Sequence, residues 1–215
     1  RRMRTMQMLI GNAIYVPGWL PAVEPASQIT CPSLEETAKR ALAIMGVAIY
    51  SECLLDEKQG VEKAQNFLMD YIDNNNTQDY FSPREWRYLH DTAPDRKEVL
   101  SFLRQYESLY VVEWALGLVE ELGFPDHPCN PADLVKSLRN GTSISKIMAK
   151  SRPKSPRELL DACDLISCLE WSCINARRHE LPEPVGMKTG VVREWHKALN
   201  WLTGHGQWDE VRTNS

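Results

Sequence analysis

The sequence predicts an all-α protein, a single-domain bundle of about eight helices with an extended N-terminal arm. Three observations carry this. Helix-start signals recur along the chain. Apolar residues repeat at helical spacing behind them. No run alternates over six residues with β-branched side chains and flanking turns, as a half-buried strand would.

The elements follow in order. Prolines 17, 21, 25 and 32 punctuate the stretch from Tyr15 to Cys31 and predict an arm laid over the helices, so residues 1–32 are assigned to it. Ser33 and Glu36 form a capping box, in which a serine hydroxyl takes the third amide and the glutamate reaches back. A helix over 34–57 follows, then one over 60–73. Asn74-Asn75-Asn76 is a polar loop. Ser82-Pro83-Arg84-Glu85 and Ser155-Pro156-Arg157-Glu158 each add proline at the first helical position, where its missing amide costs nothing. They open helices over 83–91 and 156–179. Their flanks do not match, which argues against an internal repeat. Asp95 with Glu98 opens 96–121, Asn130-Pro131 opens 131–139, and further helices are expected over 144–150 and 190–203. The helical core spans 33–203, and 204–215 is a C-terminal tail. No linker is long or biased enough to divide 1–215 into separate domains.

Composition narrows the function classes. Apolar residues make up 43% and charged residues 25%, and the net charge is −4. That gives no field favouring nucleic acid. The basic stretch of Lys146, Lys150, Arg152, Lys154 and Arg157 lacks interleaved aromatics for base stacking and reads as a solvated surface. The longest apolar run, Ala41 to Tyr50, is about half of a membrane span. Six cysteines contain no C-x-x-C pair. Cys163, Cys168 and Cys173 are five apart, so on a helix each is turned about 140° from the one before; the three point in three directions and can share neither a metal nor a disulfide. They read as reduced, small apolar groups in a cytosolic protein. The glycosylation patterns at Asn75 and Asn140 are then without consequence.

Three helices are central by pattern. On 96–121, Val99, Leu103, Tyr106, Tyr110 and Gly117 share a line, with Glu107 and Glu113 about 60° to either side. On 156–179, Glu170 and Arg177 lie on an otherwise apolar face. On 190–203, Trp195 and Leu199 share the buried face, and Glu194 and His196 fall on opposite flanks, about 200° apart.

The segments YESLYVVEWALGLVEELGFPD (106–126), SPRELLDACDLISCLEWSCINAR (155–177) and GVVREWHKALNWLTGHGQWDEV (190–211) together resemble the domain of unknown function 4272 family, whose members are found largely in bacteria. The likeness implies no activity. It marks Glu107, Trp114, Arg177, Glu194, His196, Asn200, Trp201, Trp208 and Asp209 as motif positions. This chain departs from the pattern with Arg104 in place of tryptophan, Trp195 in place of arginine and Glu113 in place of leucine. The first two suggest an exchanged Arg–Trp pair that keeps a stacked contact.

The candidate site is a polar cluster of Glu107, Arg177, Glu194, His196 and Asn200, read either as a structural network or as acid–base groups. No nucleophile motif, P-loop or dinucleotide glycine pattern is present, and no cofactor or metal is expected. The leading expectation is a non-catalytic cytosolic protein that binds another protein, an immunity or accessory role being one form of this, with no nucleic-acid or membrane partner. The alternative is a hydrolase or transferase using the Glu/His/Arg cluster. An open pocket at the cluster favours the enzyme; a filled core there with an exposed apolar patch elsewhere favours the binder.

Overall fold

The computed structural model describes residues 1–56, 58, 60–139, 143–184 and 186–213. The expected end of the first core helix at Glu57, the Asn140-Gly141-Thr142 pattern and the last two tail residues lie outside them. Among the described residues the secondary structure is helical, with no strand. None of the helices is long and apolar enough to cross a membrane. The helices are α1 (Arg2–Gly11), α2 (Leu34–Leu54), α3 (Gly60–Asn75), α4 (Pro83–Leu89), α5 (Arg96–Leu103), α6 (Gln105–Ala115), α7 (Pro131–Arg139), α8 (Ile144–Lys150), α9 (Pro156–Arg178) and α10 (Thr189–Leu202). The helix-start signals act as expected. Ser33, Ser82 and Ser155 each close a complete capping box, and Asp95 caps α5.

Helix α2 is apolar on nearly every side and packs against α3, α5, α6 and α8. Its small residues allow that crowding. At Gly46 an added Cβ would sit 2.6 Å from the Tyr71 ring, whose hydroxyl donates to the Leu42 carbonyl at 2.6 Å. From α2 the packing runs through α6 and α10 to α9, each helix seated on the next. Candidate site residues lie on both sides of α10 in this series.

Two expectations are corrected. The first concerns 96–121, which is two helices broken at Arg104. There the amide of Glu107 bonds back to the Arg104 carbonyl at 3.0 Å, a tightened turn between the two axes. The second half stops at Ala115, well short of 121. Gly117 takes a left-handed turn (φ +74°), and the amides of Arg152 and Lys154 take the Leu116 and Ala115 carbonyls at 2.8 and 2.9 Å.

The second correction concerns the arm. Its first third is helix α1, held to α9 by charge. Arg1 and Arg4 reach Asp161 at 3.0 and 3.2 Å. Arg2 grips the buried Asp164 at 2.7 Å and also donates to the Leu20 and Pro21 carbonyls at 3.0 and 2.8 Å. Thr5 adds a hydrogen bond to Asp164 at 2.7 Å. Burial alone would raise the Asp164 carboxyl, but the Arg2 and Thr5 bonds outweigh it and hold the group below its ordinary value. Residues 12–32 are irregular apart from the short turn Ala26–Gln28, as the prolines imply.

The tail, over 204–213, folds back onto α2 and α4 and buries Trp208.

Candidate functional site

The 100° step of the helix separates the cluster read from the sequence. Glu194 and His196 leave α10 on opposite flanks, as expected, and meet different helices. On the α6 side, Glu107 is buried and accepts from the Trp195 indole at 3.0 Å and from the Cys129 amide at 2.8 Å. One residue on, the Ser108 hydroxyl bonds the Glu194 carboxylate at 2.9 Å. These bonds fasten α6 to α10 and to the loop before α7. On the α9 side, the Nδ1 of His196 is hydrogen-bonded to the carboxylate of Glu170, both side chains being almost wholly buried. Asn200, one turn further, accepts from the Cys163 thiol at 3.4 Å and donates to the Arg212 carbonyl at 2.9 Å.

Arg177 joins neither group. It is exposed in the last turn of α9, and no carboxylate pairs with it among the described residues. The face of α9 that carries it inward at Glu170 has run out into solvent two turns later. The five residues therefore do not form one cluster. The exchanged Arg–Trp contact is also absent. Arg104 is exposed at the break between α5 and α6, whereas Trp195 is buried against the Tyr110 ring at 5.5 Å.

His196, Asn200 and Ser167 line a polar cleft of about 410 Å³ beneath residues 22–24 of the arm, with Arg212 and His205 on its walls. The six cysteines are unpaired, with Cys163, Cys168 and Cys173 buried on α9. Burial pushes the Cys163 thiol up to about 12 and the Cys168 thiol up to about 11, which makes both poor nucleophiles at neutral pH. No group of three acidic, histidine or cysteine side chains among the described residues is placed to hold a metal ion.

Two features lie outside the cluster read from the sequence. One is Glu113, completely buried, bonded to the Ser137 hydroxyl through one oxygen and without a partner for the other among the described residues. Burial pushes its carboxyl up to about 8, against which the serine bond works only in part. The other is an interlock around Trp208. Arg40 lies over one ring at 4.8 Å and Lys197 at 4.4 Å, and Trp201 meets it edge-on at 5.7 Å. Arg40 pairs with the buried Glu85 of the second capping box. Asp209 accepts from the Ser82 hydroxyl at 2.6 Å and the Arg84 amide at 2.9 Å, so the tail caps α4. Burial lowers the Lys197 ammonium, helped by Arg40 and Arg84 and opposed by Glu194 and Glu85. The signal for this interlock was the presence of Trp201, Trp208 and Asp209 among the family-like positions.

The chain matches, over residues 1–211, the family model described as Domain of unknown function (DUF4272). It belongs to that family. The match takes in α1, the arm and the returning tail as far as residue 211. No curated protein and no solved structure matches the chain.

Proposed function

We propose that this DUF4272 protein works by binding another protein, through an aromatic surface where the arm crosses α9. One observation carries the reading. Tyr15 and Trp19 are 72% and 73% exposed, yet both stand edge-on to Trp171 of α9, at 6.4 and 6.0 Å. Between Trp19 and Trp171 lies a hollow of about 240 Å³, walled by Ile174, Asn175 and Arg178. Large aromatics are usually buried, and grouped on a surface they supply the rigid, low-entropy anchors that dominate protein interfaces. The packed and internally bonded Glu107 and Glu194 agree with the same reading, since their carboxylates are used between helices. We place the protein in a bacterial cytosol, where its six unpaired thiols are chemically at home.

The test is a pull-down from the native host with wild type and with a Tyr15→Ala/Trp19→Ala double variant. A protein should be retained by the first and released by the second. With purified components the variant should weaken Kd at least thirtyfold, about 2 kcal/mol. Equal affinity for both baits would overturn the proposal.

A further inference from the structure

On the opposite flank from Glu194, α9 and α10 build a second kind of site, which does not depend on the aromatic surface. The Glu170 carboxylate fixes the His196 ring through Nδ1. The Nε2 of that ring has no hydrogen-bond partner among the described residues, and His196 borders the polar cleft. A histidine whose only task is to tie two helices together needs no open side. Here the open side meets a cleft within the size range of small-molecule pockets. Ser167 lines it one turn before Glu170 on α9, and Arg212 lines it from the returning tail. A buried carboxylate behind an imidazole orients the ring and stabilises the imidazolium that forms when the far nitrogen takes a proton.

We propose that Glu170 and His196 are a general-base dyad for the hydrolysis of a small carboxylic ester held in this cleft. A water gives its proton to Nε2 of His196 as its oxygen bonds to the ester carbonyl carbon. The tetrahedral intermediate then breaks its bond to the alcohol oxygen. The imidazolium returns the proton to the departing alkoxide, leaving a carboxylic acid, an alcohol and the dyad as it began. Arg212 supplies a cation for the oxygen that becomes negative. Ser167 makes no hydrogen bond to His196, so water rather than the serine is the nucleophile. Glu170 acts through His196 and is a positioning residue. The other charged or titratable groups lining the cleft are Glu24, His205, Glu210 and Arg212, with His205 lying 3.5 Å from Glu24.

The test is p-nitrophenyl acetate hydrolysis at neutral pH, by wild type, His196→Gln, Glu170→Gln and Ala22→Trp. Ala22 is an exposed residue on the cleft wall, so a tryptophan there narrows the cleft while both dyad residues are kept. The protein-dependent rate of wild type should stand well above that of buffer. It should fall at least tenfold in each variant, through kcat with KM held in His196→Gln and Glu170→Gln, and through a raised KM in Ala22→Trp. Should the dyad variants fail to fold, Ala22→Trp decides alone, its fold checked by its melting curve. A wild type no faster than buffer, or an Ala22→Trp protein as fast as wild type, would overturn the proposal.

Discussion

Glu113→Gln should stabilise this protein, and by an amount that depends on pH. The carboxyl has no exposed surface, and burial pushes it from the ordinary 4.5 up to about 8. At neutral pH the unfolded chain carries Glu113 ionised, while the folded chain carries it protonated. Folding at pH 7 therefore takes up a proton against a gap of roughly 2.5 units, at a cost of about 3 kcal/mol. Because the folded value is raised, this cost is absent below the unfolded value. It grows as pH climbs, by about 1.4 kcal/mol per unit, and levels off above the folded value. Glutamine keeps an oxygen for the Ser137 hydroxyl and has no proton to take up. Urea denaturation of both proteins from pH 4 to 9 reads the effect directly. The two curves should lie close together near pH 4.5 and diverge to about 3 kcal/mol at pH 7, with the variant more stable. A constant offset across the range would show that Glu113 does not titrate between the two states, and would refute the reasoning.

Other outcomes follow from the same geometry. Arg2→Ala leaves the Asp164 charge buried without its guanidinium, and should loosen the docking of α1 on α9 by about 3 kcal/mol. Hydrogen exchange over residues 2–24 measures that. Since the folded Asp164 carboxyl is held below its ordinary value, the stability it lends is present at neutral pH. It is lost as pH falls through the folded value, so wild type and variant should converge in strong acid. Gly117→Ala combines a left-handed backbone with a Cβ that would sit 2.1 Å from the Arg152 carbonyl oxygen, and should lower stability by more than about 3 kcal/mol, read as the shift in Tm. Arg177→Ala removes an exposed side chain and should move stability by less than about 0.5 kcal/mol in thermal denaturation.

What the sequence made legible was local. Ser33, Ser82 and Ser155 mark true helix starts because the capping box is closed by residues three apart, within reach of a short-range pattern. The opposed directions of Glu194 and His196 follow from the helical step alone. The misses were matters of tertiary contact. Helix α6 ends at Ala115 because a segment 37 to 39 residues later, Arg152–Lys154, takes its carbonyls, and only Gly117 hints at this locally. Helix α1 has no side-chain cap and owes its place to Asp161 and Asp164, which lie on α9 far along the chain. Arg177 falls on the same wheel position as Glu170, but the helix carries it past the neighbours that bury Glu170. The buried charges Arg40 and Glu85 carry no burial signal on their own helices, and the returning tail encloses them; Glu113 is placed beside the apolar stripe by the helical step, but its Ser137 partner on α7 is a tertiary contact.

The hydrogen bond from Ser82 to Asp209 spans 127 positions. On a ribosome, α2 and α4 are therefore synthesised long before the loop that locks them together. Until that loop emerges, Arg40 and Glu85 have half their surroundings, and the faces destined for Trp208 stay open to solvent. Vectorial synthesis thus leaves this part of the fold incomplete until residues 208 and 209 arrive, and a nascent chain stalled before residue 208 should be a ready client for chaperones and proteases.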